Sequence, residues 1–187
     1  MRKLVCLAIA TALAVSMTAA GELERGAKEV FGRFSYVNLD LGSASGVSVG
    51  EQENIEIEFA FGWLLSDNHE LGLSTSYIKE DFSNSDIFVD SETDGSTYGG
   101  FYHFNFSTKG MATPFVGVNA AIVGGDVGDI YNFQYGAEAG VKIYPFEHGA
   151  VVVSVAYAKL QADEAGVPDA DAISLGAGII LKFGGGK

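Results

Sequence analysis

From about residue 31 onward, large apolar side chains alternate with small or polar ones at a period of two. The plainest run is Ile55, Ile57, Phe59, Phe61 and Trp63, interleaved with Glu56, Glu58, Ala60, Gly62 and Leu64. A helix would scatter those five apolar side chains around its circumference, whereas a strand places them on one face. The same rhythm sets Leu71, Leu73, Thr75 and Tyr77 against Gly72, Ser74 and Ser76. It sets Tyr98, Gly100, Tyr102, Phe104 and Phe106 against Thr97, Gly99, Phe101, His103 and Asn105. Val116, Val118, Ala120 and Ile122 oppose Gly117, Asn119 and Ala121, and Phe133 to Ile143 in steps of two oppose Gln134, Gly136, Glu138, Gly140 and Lys142. Val151, Val153, Val155 and Tyr157, then Ile173 to Phe183 in steps of two, complete the series. The first strand is the faintest, with Val37, Leu39 and Leu41 against Tyr36, Asn38 and Asp40. Eight segments result, each about ten residues long, the length a tilted strand needs to cross a bilayer.

The connections alternate in length. Short turns fall at Ser66-Asp67-Asn68, from Ser107 to Ala112 and from Pro145 to Gly149. Longer polar loops fall at Ser43–Gln52, Lys79–Gly95, Gly125–Asn132 and Ala162–Asp171. Three short turns on one side and four long loops on the other are what an eight-stranded antiparallel up-and-down barrel requires, with both termini on the short-turn side. The expected class is therefore all-β, a transmembrane β-barrel over residues 31–183, followed by a tail at 184–187. Residues 1–20 read as a secretory signal peptide. Arg2 and Lys3 precede an apolar stretch from Leu4 to Val15, and Thr18-Ala19-Ala20 offers a small-residue cleavage site. Residues 21–30 then read as a short N-terminal lead on the periplasmic side.

Composition decides which face is outside. Without Arg2 and Lys3 the chain carries nine cations against 24 anions, a net charge near −15, and its sole cysteine, Cys6, is in the leader. A nucleic-acid partner is excluded by the lack of clustered Lys and Arg, and thiol chemistry by the lack of cysteine after residue 20. Yet 48% of the residues are hydrophobic. The face opposite the large apolar set is mainly Gly, Ala, Ser, Asn and Thr, a poor surface for water and a good filling for a narrow barrel. Turned outward, the apolar set becomes a lipid-facing band that a soluble protein would avoid. Phe61, Trp63, Phe104, Phe106, Tyr144, Phe146 and Phe183 lie near the short-turn end; Tyr77, Tyr98, Tyr131 and Tyr157 lie near the other. Two interfacial aromatic girdles are expected from them.

On this pattern the chain resembles the small eight-stranded outer-membrane barrels, the group that includes the transmembrane domain of outer-membrane protein A, OmpX and the opacity proteins. The stretch Phe61-Gly62-Trp63-Leu64-Leu65-Ser66-Asp67-Asn68-His69-Glu70-Leu71-Gly72-Leu73 is similar to that group's first periplasmic hairpin. Leu181-Lys182-Phe183 is similar to the terminal aromatic signal read by the barrel-assembly machinery, although Gly184-Gly185-Gly186-Lys187 follows it here. The resemblance implies a monomer in the bacterial outer membrane, in contact with membrane lipids and lipopolysaccharide. Some related barrels are lipid A deacylases carrying His-x-Ser beside a carboxylate. Here His69, His103 and His148 precede Glu70-Leu71, Phe104-Asn105 and Gly149-Ala150, so no enzyme is expected.

The candidate functional set is the group of charges on the inward face: Asp40, Glu56, Glu58, His103, Glu138, Lys142 and Lys182, with Arg33. Isolated charges in so narrow a lumen are costly, so a mutually paired structural network is expected. Glu56 and Glu58 point the same way and need a cation between them, for which Lys142 or Lys182 is the expected source. No cofactor and no built metal site is expected. Asp90-Ser91-Glu92-Thr93-Asp94-Gly95 imitates the opening of a calcium loop, but its twelfth position is Phe101 rather than a bidentate Glu. The four long loops carry 13 acidic residues and one base, Lys79. Weak, unspecific Mg²⁺ or Ca²⁺ bridging to lipopolysaccharide is compatible with that surface. Two roles follow: a surface-interaction or envelope protein meeting host or surface ligands through its acidic loops, or a narrow OmpW-like channel for small or hydrophobic solutes.

Overall fold

Every strand that exposes one apolar face to lipid leaves its edges in need of partners, because hydrocarbon supplies no hydrogen bonds. The chain meets that need by closing on itself. A computed structural model describes residues 23–40, 43–44, 47–48, 51–82, 91–106, 110–163 and 167–184; side chains within 39–53 and 79–93 lie outside the description. The barrel strands are β1 (Lys28–Asp40), β2 (Glu51–Leu64), β3 (His69–Phe82), β4 (Ser91–Asn105), β5 (Ala112–Gly125), β6 (Tyr131–Phe146), β7 (Gly149–Ala162) and β8 (Ala170–Phe183). All neighbours are antiparallel, and β1 pairs with both β2 and β8 to close an eight-stranded barrel. A two-residue ladder, Ser43–Ala44 with Val47–Ser48, lies in the first long connection.

The outer face is apolar over its full circumference. Phe34, Ile55, Phe59, Leu73, Val118, Ile122, Ile173 and Ile179 are all more than half exposed. From Ile55 to Trp63 a strand rising about 3.3 Å per residue at a tilt of about 40° spans roughly 20 Å of membrane. Trp63, Phe106, Phe146 and Phe183 ring the short-turn end, and Tyr77, Tyr98 and Tyr157 the other. Two expected girdle members are not there. Tyr144 is 2% exposed and Tyr131 6%, both in the interior. Tyr144 shares the parity of Glu138 and Lys142, and its hydroxyl has a carboxylate partner inside. Tyr131 packs with Val37, Val127, Ala158 and Leu160 under the loop-side rim.

Three further differences concern the strands themselves. β1 begins at Lys28, so Lys28, Glu29 and Val30 belong to the barrel and not to the lead. Its facing is also opposite to the sequence reading: Val37 is buried, whereas Val30, Phe34 and Tyr36 are outside. The charges decide this, because Glu29 and Arg33 share Val37's parity and find partners in the lumen. On the loop side, Lys79–Phe82 pairs with Ser91–Asp94, so much of the expected acidic loop is a continuation of the β3–β4 ladder. The calcium-like stretch beginning at Ser91 is therefore extended strand, and Asp90 lies outside the described residues.

Large interior side chains fit because glycines stand next to them. A Cβ at Gly72 would overlap the Phe101 ring, one at Gly117 would overlap His103, and one at Gly140 would lie 2.7 Å from Phe115. The Gly face seen in the sequence is thus the space that the interior aromatics and the histidine occupy.

Candidate functional site: the charged lumen

Six strands contribute to one connected polar system. At the short-turn end, Lys142 on β6 is fully buried, with Nζ donating at 2.6 Å to Glu29 Oε2 of β1 and at 2.6 Å to Glu70 Oε2 of β3. The Tyr144 hydroxyl donates to the other Glu29 oxygen at 2.5 Å. The same ammonium lies 5.0 Å from the Phe31 ring centroid and 5.7 Å from that of Phe115, within cation–π range. His103 on β4 continues the chain. Its Nδ1 is 3.3 Å from Glu70 Oε2 and its Nε2 is 2.5 Å from Glu138 Oε1. The ring is sandwiched between Phe101 and Phe115, with centroids at 4.4 and 4.6 Å.

Towards the loops, Arg33 completes the system. Its Nη1 donates to Glu138 Oε2 at 2.6 Å and to Ser154 Oγ at 2.8 Å. Its Nε donates to Glu58 Oε2 at 2.8 Å, and Nη2 reaches the same oxygen. The unbroken order is Glu58, Arg33, Glu138, His103, Glu70, Lys142, Glu29, Tyr144. A guanidinium with two donors on one carboxylate oxygen and a third on a second carboxylate, and an ammonium shared by two carboxylates, are charge-assisted contacts that offset the cost of burial.

Of the residues expected on the inward face, Glu58, His103, Glu138 and Lys142 are brought together, with Arg33. Glu56 also faces in, where Ser76 supplies a hydrogen bond to it and meets Thr97 at 2.7 Å. Lys182 is buried, with Nζ 5.9 Å from the Tyr144 ring centroid. The side chain of Asp40 lies outside the described residues. The cation on Glu58 is Arg33, not Lys142 or Lys182, because Lys142 is held a layer below by Glu29 and Glu70. Glu29, Glu70 and Tyr144 were absent from the expected set. Each was legible: Glu29 continues the parity of Arg33, Glu70 that of Gly72 and Ser74, and Tyr144 that of Lys142.

Two cavities flank the Arg33 layer. The larger, about 80 Å³, lies on its loop side, with Asn54, Glu56, Ser74, Ser76, Thr97 and Asn119 in its wall. The smaller, about 20 Å³, is lined by Phe31, Phe101, His103 and Phe115 among others. A water needs roughly one probe sphere of space, so the larger has room for a few waters and the smaller for about one.

Solved structures share this architecture. Neisserial surface protein A superposes with a TM-score of 0.65 at 15% identity, covering 85% of this chain and 100% of that one. The fold is that of the small outer-membrane barrels. Ail, the attachment invasion locus protein of Yersinia pestis, matches with a TM-score of 0.53 at 10% identity, over 85% of this chain and 99% of its own. The outer membrane protein OprG of Pseudomonas aeruginosa gives 0.52 at 14% identity, over 88% and 99%. No family model and no curated protein matches the sequence. At such identities the likeness is one of backbone architecture, and the lumen chemistry is argued from this chain's own residues.

Proposed function

We propose that the chain is an outer-membrane protein whose lumen is closed by its own charges and whose work is done at its acidic loops, in adhesion or envelope integrity. The observation that carries the reading is the continuous Glu58-to-Tyr144 system, in which every cation bridges two carboxylates from different strands. A solute passing it would have to break buried ion pairs, each costing about 3–5 kcal/mol to open on one side. Residues 1–20 are removed on export, and the acidic loops meet lipopolysaccharide or host and surface ligands outside. The barrel-assembly machinery inserts the chain through its last strand. No catalytic role is proposed: His103 is enclosed between carboxylates and aromatic rings, and His69 Nδ1 is 2.5 Å from the Tyr102 hydroxyl.

The test is excision of the acidic loop tips at residues 83–90 and 164–168, each gap closed by a short Asn-Gly turn because strand partners such as Phe82 and Ser91 cannot be joined directly. The shortened barrel is expected to fold with unchanged heat-modifiable migration while cells displaying it lose surface attachment. Attachment unchanged after both excisions would count against the loops as the working part. A second reading, a narrow path for small solutes, draws on the polar cavity of about 80 Å³ on the loop side. Proteoliposome swelling with a series of small sugars and amino acids separates the two, since only a through-path admits solute.

A further inference from the structure

The chain just before β1 does something the barrel does not require. A lead into the first strand could run freely from the rim, but here it turns back. Ala27 N–H donates to Glu24 O at 3.0 Å, closing a turn over Arg25 and Gly26 in which Gly26 has φ +84°. Two backbone hydrogen bonds hold the segment to the end of β2: Gly26 N–H to Leu64 O at 2.8 Å and Leu64 N–H to Ala27 O at 2.9 Å. Arg25 N–H adds a third tie, to Asp67 Oδ1 in the first short turn at 3.2 Å. The result is that Leu23 is only 8% exposed and Ala27 is fully buried. Both belong to the apolar cluster with Leu64, Tyr144, Ala150 and Ile180 at the short-turn end of the lumen.

We propose that Leu23–Ala27 is a stopper that seals the short-turn mouth, a second closure beneath the ion-pair system. Its physical logic is that Glu29, Lys142 and Glu70 lie directly above this mouth. Water reaching them would weaken their attraction by raising the local dielectric. An apolar side chain folded across the opening keeps that layer dry. The turn depends on glycine: φ +84° is open to Gly and strained for a β-branched residue, although nothing lies within 4 Å of the site of a Cβ. The inference rests on the closed-lumen reading for its context but not for its test.

The test uses the full chain expressed in cells with Cys6→Ser, so that an introduced cysteine is its only thiol. Ala150→Cys, a small replacement in the cluster, reports on the mouth through its rate of reaction with a charged, membrane-impermeant maleimide on isolated membranes. Two variants open the stopper by different routes: Leu23→Ser removes the plug, and Gly26→Val strains the turn while leaving the backbone N–H. Both are expected to raise the labelling rate at least tenfold over the parent, with heat-modifiable migration retained. Equal rates in parent and both variants, whether fast or slow, overturn the stopper. Single-channel steps from the parent protein in planar bilayers are a separate outcome: they count against the closed lumen, while the labelling ratio still decides the stopper.

Discussion

Replacing Lys142 by Met isolates the energetics of the lumen. The side chain is fully buried, as are Glu29 and Glu70, and its Nζ is 2.6 Å from an oxygen of each. Methionine matches its length and can keep contact with the Phe31 and Phe115 rings, so little packing is lost. What changes is charge. Two buried carboxylates remain: Glu29 keeps only the hydrogen bond from Tyr144, while Glu70 keeps Asn105 at 3.5 Å and His103 Nδ1 at 3.3 Å on Oε2, with Oε1 receiving none. Removing one partner of a buried ion pair costs about 3–5 kcal/mol because the remaining charge is stranded. The same change made together with Glu29→Gln and Glu70→Gln leaves no stranded charge. The triple variant is expected to recover most of that loss, the pairing energy being roughly offset by the desolvation it entails. The assay is urea unfolding in phospholipid vesicles, followed by tryptophan emission and heat-modifiable migration. A Lys142→Met cost under about 1 kcal/mol, or a triple variant as unstable as the single one, would refute the reasoning, since neither is compatible with a charge buried at this site.

Other outcomes test the remaining links. Gly117→Val places carbon where the His103 ring now is and is expected to cost about 1–3 kcal/mol by overpacking, in the same unfolding assay. Leu73→Arg, at a position 70% exposed on the outer face, is expected to destabilise the barrel by about 2–4 kcal/mol in vesicles near mid-bilayer. The same substitution in detergent micelles, which deform around the charge, is expected to cost much less; equal costs would argue that Leu73 does not face lipid. In the last long loop, the Ala162 N–H and then Lys159 hold the Asp169 carboxyl below its usual value of 3.8. A carboxyl lowered on folding stabilises above its ordinary value and releases that contribution only as pH falls through the lowered one. The Ala162 amide shift should therefore stay constant from neutral pH down to about pH 4 and move only in stronger acid.

The barrel was legible because its determinants are local and repeated. On every barrel strand but β1, period-two alternation with a Gly- and Ser-rich complementary face indicates strand and facing together, and it is visible in runs such as Ile55–Trp63 without any tertiary knowledge. The lumen was legible only in part. Inward charges on long strands, such as Glu58, Glu138 and Lys142, announce themselves by breaking an otherwise small-residue face. Which of them meet depends on register between strands distant in sequence, as with Glu29 and Lys142, 113 positions apart. Alternation says nothing about register. That is why Arg33 was not expected to be the partner of Glu58. Glu29 escapes because the strand's first residues follow a polar lead, and the alternation of Val37, Leu39 and Leu41 points the first strand the other way. Tyr131 escaped for a different reason: the register shift between Tyr131 and Phe133 on the β6–β7 ladder breaks strict alternation at the rim.

One connected system, from Glu58 through Arg33, Glu138, His103, Glu70 and Lys142 to Glu29, is proposed to close this barrel to solutes. Planar-bilayer recording of the refolded protein, beside a variant combining Arg33→Ala, Lys142→Ala and Leu23→Ser, measures it most directly. A silent parent trace over a wide voltage range is expected, with small steps appearing only when the bridging cations and the apolar plug beneath them are removed together. Reproducible single-channel steps from the unmodified protein, unchanged in the variant, would contradict it.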